Sequence, residues 1–338
     1  MAAGGILPDS QILSLTRDGR VIPAEALADG QVQPASLDLR LGSRAYRVRA
    51  SFLPGQNRTV KDVLDSGVVM HELDLSAGAV LETGCVYLVP LLEGLDLPAD
   101  ISAAMNPKSS TGRIDVFTRV IADNANAFDQ APAGYSGPLY VEISPRTFSI
   151  LARPGDRLVQ ARFRRGERKI TREVTVSVDL QGFDGRIGWR ARRHAGLIDL
   201  AGIGAHAPLH YWEPVDTRDD RLVLDPGEFY ILASREAVTI PLDEAAEMAP
   251  IAPEIGEFRA HYAGFFDPGF GVAEAGGTGG RAVLEVRGRD VPFILEHGQP
   301  VARLVYEPMA AAPDRPYGTV QSNYQAQKLK LAKYFMPA

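Results

Sequence analysis

The eight residues Asn106-Pro107-Lys108-Ser109-Ser110-Thr111-Gly112-Arg113 set two neighbouring hydroxyls between a lysine and an arginine. Hydroxyls and backbone N–H groups in such a turn can donate to phosphate oxygens, and the flanking cations supply countercharge. A polar surface turn has the same composition, so the rest of the chain must discriminate. Glu142 is the second residue equipped for chemistry. It alternates with Val141 and Ile143 and so points away from them across its strand. Facing a pocket, a lone carboxylate can take a proton from water and return it; facing solvent, it does nothing more than stay hydrated.

The elements around these residues read as short strands. Pro8-Asp9-Ser10 followed by Ile12, Leu13 and Leu15 predicts one capped helix, and Thr59 to Leu64 a helical turn. Strands are expected at Ala35–Leu41, Ala45–Arg49, Ala79–Leu81, Val86–Val89, Val116–Ile121, Leu139–Ile143, Phe148–Leu151 and Leu158–Phe163. The last pair is separated by the turn tetrad Arg153-Pro154-Gly155-Asp156. The 33 glycines and 24 prolines are spread along the chain, as many turns between short strands require. The expected class is mainly β, a barrel or jelly-roll body with a few short helices.

The second half repeats the first. Val80-Leu81-Glu82-Thr83-Gly84 matches Val223-Leu224-Asp225-Pro226-Gly227, Tyr140-Val141-Glu142-Ile143 matches Val283-Leu284-Glu285-Val286, and Pro154-Gly155-Asp156 matches His297-Gly298-Gln299. The offset is 143 each time (227 − 84, 285 − 142, 298 − 155). Leu37-Asp38-Leu39 is matched more loosely to Ile198-Asp199-Leu200. The expectation is two copies of one β domain, residues 1–167 and 168–312, joined around Gly166 to Arg172, with a tail at 313–338. Opposite the Lys108–Arg113 turn the second copy carries Ile251-Ala252-Pro253-Glu254-Ile255-Gly256, without paired hydroxyls or cations. The first copy therefore reads as equipped and the second as structural, and Glu285 as a solvent-face residue.

Composition narrows the classes. With 338 residues there is room for two domains and a sizeable core, and no apolar run is long enough to span a bilayer. Met1 to Pro8 lacks the pattern of a secretory signal, and the lone Cys85, in an apolar run, fits a reducing cytoplasm. A net charge of −6 without long basic runs argues against nucleic acid as a partner, and Arg190-Ala191-Arg192-Arg193 reads as a solvated strand end. Lys108, Arg113 and Arg119 are the local cluster that could still draw an anion. His206 and His210 lie in Gly/Pro-rich sequence unsuited to aligning metal ligands. Gly276-Gly277-Thr278-Gly279-Gly280 lacks the lysine of a phosphate loop and reads as a flexible hairpin tip. Trp189 and Phe265-Phe266 read as core.

Pro34–Gly42, Lys108–Arg113 and Gly134–Glu142, with Phe266-Asp267-Pro268-Gly269-Phe270, Arg315-Pro316-Tyr317 and Tyr324-Gln325-Ala326-Gln327, resemble the dCTP deaminase branch of the dUTPase-like superfamily. The likeness runs over most of the chain and implies a fused, double-length form. It implies that Ser109, Ser110 and Arg113 hold a triphosphate, with Lys108 where arginine is usual. It further implies that Glu142 is catalytic, that Asp129 faces the deoxyribose, and that Tyr317 and Gln327 of the tail touch the nucleotide. Asn323 stands where lysine is usual. Mg²⁺ would arrive with the triphosphate. By the same resemblance, sites form between packed domains, which favours a trimer of two-domain chains whose tails cross between rings.

Two chemistries could replace the C4 amine of cytosine. A zinc-bound hydroxide needs a His-x-Glu and a Pro-Cys-x-x-Cys, and this chain has one cysteine and no His-x-Glu. A positioned carboxylate needs one glutamate, here Glu142. The favoured reading is deamination of dCTP to dUTP. A dUTP diphosphatase or an enzyme with both activities is the alternative, with Asp129 orienting water toward phosphorus, and a non-catalytic nucleotide-binding protein is the third reading.

Overall fold

Runs rich in valine, isoleucine and aromatic residues, bounded by glycine, proline and aspartate, favour strands over helices. The computed structural model describes residues 4–183, 185–216, 219–251, 256, 258–261, 264–319, 324–325 and 327–337, without the side chains of 259–261. Among them the one helix longer than about a turn is Asp9–Arg17, which buries Ile12 and Leu15. Thr59 caps the turn Val60–Val63 through a reciprocal pair of bonds with Asp62.

One five-stranded antiparallel sheet orders Val116–Ala122, Leu139–Pro145, Val86–Pro90, Arg44–Val48 and Val69–Asp74. The second half has a sheet ordered Phe258–His261, Gly280–Gly288, Phe229–Val238, Arg186–Ala191 and Trp212–Asp216. Their members keep the sequence offset of 143, as at Val86 and Phe229 (229 − 86) or Val69 and Trp212 (212 − 69). A facing pair of sheets also agrees: Ile101–Pro107, Arg157–Arg165 and Ser36–Arg40 run in the order of Glu244–Pro250, Pro300–Pro308 and Arg172–Ser177.

That order corrects one sequence match. Ser177-Val178-Asp179-Leu180 takes the place of Ser36-Leu37-Asp38-Leu39, because Arg172–Ser177 is the strand that pairs with Pro300–Pro308. Ile198–Asp199 instead runs parallel to Ile150–Ala152 of the first half. A three-residue match sets no register; sheet pairing does. Val69–Asp74, Glu93–Asp96 and Ile101–Pro107 were not expected as strands. Their charged, glycine or alanine residues carry weak β preference, and cross-strand pairing overrides it.

The apolar core does not stop at the boundary between halves. Phe148, Ile150 and Leu158 of the first half share one cluster with Trp189, Trp212 and Phe229 of the second and Tyr334 and Phe335 of the tail. Phe148 and Phe335 both meet Trp212 edge-on, at 5.2 and 5.9 Å between centroids. Around this core run inter-half bonds: Arg162 to Asp267 at 3.1 Å, Arg164 to Glu307 at 2.7 Å, Asn106 to Glu247 at 3.0 Å, and Arg287 to Asp115. Arg162 is 2 % exposed at its side chain, so deleting Asp267 would strand a buried charge and cost about 3–5 kcal/mol. No described helix is long and apolar enough to cross a membrane.

Candidate active site at the junction of the two halves

The phosphate-like turn is a single helical turn, Ser109–Gly112, entered from the end of strand Ile101–Pro107. Thr111 Oγ1 donates to the carbonyl of Leu158 at 2.8 Å and so fixes the turn against strand Arg157–Arg165. The N–H groups of Thr111, Gly112 and Arg113 are spent on carbonyls of Lys108 and Ser109. The expected row of free amides is therefore short, and the hydroxyls and cations carry the site's capacity to donate.

Lys108, Ser109, Ser110 and Arg113 line a cavity of about 460 Å³ at the junction of the halves. Met248, Phe265, Phe266, Phe270 and Val283 of the second half form an apolar wall, while Asp267 and Glu285 are its acids. Phe265 and Phe266, expected in the core, thus face the cavity, and Phe265 lies 4.0 Å beneath the buried Arg162 guanidinium. The tail closes the enclosure from the same chain, with Tyr317, Tyr324, Gln327, Lys333 and Tyr334 in the lining.

Arg113 is the hub. Its guanidinium stacks 3.9 Å from the Tyr324 ring, donates to the carbonyl of Lys330 at 2.8 Å and stands with Nε 3.9 Å from Glu285 Oε1. That Nε is buried with no hydrogen-bond partner among the described residues, as is Gln327 Oε1. Orphaned polar atoms converging on one cavity are what a bound polar ligand would satisfy. Burial pushes the Glu285 carboxyl up to about 8, against the pull of Arg113. Asp267 is likewise raised by burial, with Arg162 opposing.

Glu142 does not join this group. It is buried on strand Leu139–Pro145, opposite Arg119 in register, and is absent from the cavity lining. Burial raises its carboxyl, while a hydrogen bond from Ser51 and the Arg119 charge oppose that shift. Asp129 also lies elsewhere. Its carboxylate accepts from the Val120 amide at 2.7 Å and closes a local loop in left-handed backbone, φ +62°. Burial pushes it up to about 7. Within one chain, then, Ser109 and Arg113 do not share a cavity with Glu142 and Asp129. The residues that share their cavity are Glu285 and Asp267, at the equivalent strand position and in the Phe266–Phe270 motif.

Tyr317 and Gln327 also line the cavity. The Tyr317 hydroxyl accepts from the Tyr324 amide at 3.2 Å, and Gln327 exchanges backbone and side-chain bonds with Arg281 at 2.9 Å. The glycine run is no loose tip: a Cβ on Gly277 would sit 2.4 Å from Gly271 C, and Gln325 bonds Gly271 N, Gly269 O and Ala275 O. His206 packs against Tyr211 and Phe335. Arg190 and Arg192 pair with Glu213, and Arg193 with Glu228. Residues 252–255, Asn323 and Ala326 lie outside the described residues.

Two family models cover this arrangement almost end to end. The N-terminal domain of 2'-deoxycytidine 5'-triphosphate deaminase matches residues 3–167, and its C-terminal domain matches residues 152–335. The chain belongs to the dCTP deaminase family. A deaminase of that name from Agrobacterium tumefaciens superposes with a TM-score of 0.86 at 56% identity, over 91% of this chain and 99% of that one. A dCTP deaminase of Halorubrum lacusprofundi is 32% identical over 47% of this chain and 76% of its own length. A dUMP-forming dCTP deaminase of Methanoculleus marisnigri is 37% identical over 33% of this chain and 57% of its own. The chain is an enzyme, and its reaction is deamination of dCTP.

Within one chain the turn of the first half meets acids of the second half. The hydroxyl-arginine turn is intact only in the first half, whereas Asp267, Glu285 and the tail belong to the second. Each half supplies one wall of the cavity.

Proposed function

We propose that this deaminase works at the junction cavity with Glu285, not Glu142, as its proton-transferring group, and with both walls of the site drawn from one chain. Ser109, Ser110, Arg113 and Lys108 take the triphosphate, Asp267 takes the sugar edge, and the apolar wall around Val283 and Phe270 takes the cytosine. The observation that carries this is the single cavity in which Glu285 stands 3.9 Å from the guanidinium of Arg113, beside both serines.

The chemistry then balances without a protein-bound metal. Ionised Glu285 takes a proton from water as the water oxygen bonds C4, and passes it to N3. C4 becomes tetrahedral, bearing hydroxyl and amine. Glu285 then moves the hydroxyl proton to the amine, the C4–N bond breaks, C4=O forms and ammonia leaves. The low polarity that raises Glu285 makes it a stronger base once ionised and a competent acid once protonated. Mg²⁺ would travel with the triphosphate, since the hydroxyls and cations of the turn suit phosphate oxygens rather than a metal.

Tandem duplication accounts for the matched strand orders, with domains at 1–167 and 168–312 and the tail at 313–338. A trimer is not needed to bring the walls together, because they meet within one chain. Half-buried, unpaired Cys85 suits a reducing cytoplasm. Relatives named as dUMP-forming favour a second reading, in which dUTP is also cleaved. Incubation with dCTP and Mg²⁺, assaying ammonia and pyrophosphate separately, tests both. Ammonia alone supports deamination to dUTP, both products support dual activity, and pyrophosphate without ammonia overturns the reading. Glu285→Gln should abolish ammonia release and Glu142→Gln should not.

A further inference from the structure

Lys333 belongs to no motif singled out in the sequence, yet it lines the same cavity as Lys108, Ser109 and Arg157. Its place is fixed by its neighbours. Ala332, Tyr334 and Phe335 are buried, its own carbonyl accepts from Gly204 N at 2.9 Å, and the Tyr334 carbonyl accepts from Ala205 and His206 at 3.1 Å. With its backbone held on both sides, Lys333 keeps its stem at the cavity, and binding has only side-chain freedom left to restrict. Cations and acids both stand near its ammonium. Lys108 pairs with Asp38, and Arg157 stands 3.7 Å from the same carboxylate. Among the described residues Lys333 makes no ion pair within 4.0 Å. Burial, Lys108 and Arg157 all push its ammonium down, and Asp38 and Asp156 only partly oppose them. Like charges gathered in a half-enclosed space are relieved by an anion between them.

We propose that Lys333 is a substrate-binding residue that engages the distal phosphates of the nucleotide, so that the tail itself selects a triphosphate over a monophosphate. The inference rests on the cavity being the nucleotide site, and deepens that reading by assigning a phosphate contact to the end of the chain. Lys333 would reach phosphate oxygens that Ser109, Ser110 and Arg113 leave unmet.

Calorimetric titration of the full chain with dCTP, dCMP and inorganic tripolyphosphate tests this. Lys333→Gln should weaken dCTP and tripolyphosphate about tenfold or more, the usual effect of one charge-assisted bond. It should leave dCMP unchanged, and the fall in kcat/KM should lie mainly in KM. Lys333→Arg should restore most of the loss. Equal weakening of dCTP and dCMP, or unchanged tripolyphosphate binding, would overturn the proposal. Amine-reactive labelling of the unmodified protein gives a test free of folding effects. Tripolyphosphate should shield Lys333, and undiminished labelling at saturating tripolyphosphate overturns the proposal. Should dCTP yield no ammonia while that shielding persists, the deaminase assignment of the cavity fails and the phosphate contact stands.

Discussion

Glu142 and Glu285 occupy the same position of matched strands, and both are buried, but only Glu285 has an arginine and two serines across a cavity from it. Glu285→Gln should therefore cost about 10²–10⁴-fold in kcat, the range for a lost proton-transfer group. Glu142→Gln keeps the shape of the side chain and its contact with Ser51, and its kcat should stay within a few-fold of the parent. The proton held at about 8 also makes activity pH-dependent. Because the ionised form starts the reaction, kcat/KM should climb with pH and level off above about 8, a limb set by Glu285 in the free enzyme. Stability runs the other way. The folded chain holds this proton more tightly than the unfolded chain, so stability from this group is full in acid. It is lost progressively as pH rises from the ordinary carboxyl range through about 8. Glu285→Gln, which never ionises, should melt at nearly the parental temperature near pH 4 and a few degrees above it at pH 9. A thermal shift series across that range checks the sign.

Strands and turns of both halves exist to bring those side chains to one place, and the tail is the element most exposed to perturbation. Gly269 sits at φ +98°, and a Cβ there would lie 2.7 Å from the Tyr317 carbonyl oxygen. Gly269→Ala is strained in backbone and crowded at once. It should push the Tyr317 segment outward and raise KM for dCTP about tenfold, with a smaller change in melting temperature. Phe335 anchors the far end of the tail against Trp212 and Tyr211. Phe335→Ala should cost about 3–5 kcal/mol by leaving a cavity in that aromatic cluster. It should also weaken dCTP binding, since Lys333 and Tyr334 lose their mooring; chemical denaturation and KM measured together check both effects.

At the level of the whole molecule, one chain supplies both walls of the junction cavity, and the proposed site therefore needs no second chain. Mixing Arg113→Ala chains with Glu285→Gln chains should restore no activity, because each chain carries one damaged site. Were sites assembled between chains, the mixture would regain a fraction of the parental rate. Specific activity should likewise stay constant on dilution through any dissociation seen by light scattering.

The sequence by itself determined much of this. Alternation over Leu139–Ile143 wrote a strand, the offset of 143 carried it to Val283–Val286, and Ser109, Ser110 and Arg113 stood out as a hydroxyl-cation turn. These are local properties, fixed by the period of side chains and by turn chemistry. What only the tertiary structure decided is which glutamate faces that turn. The answer depends on how Arg162, Arg164 and Asn106 clamp one half against Asp267, Glu307 and Glu247 of the other. No pattern along either half records that docking, because Glu142 and Glu285 are equivalent within their own strands and differ only in what the rest of the molecule packs opposite them.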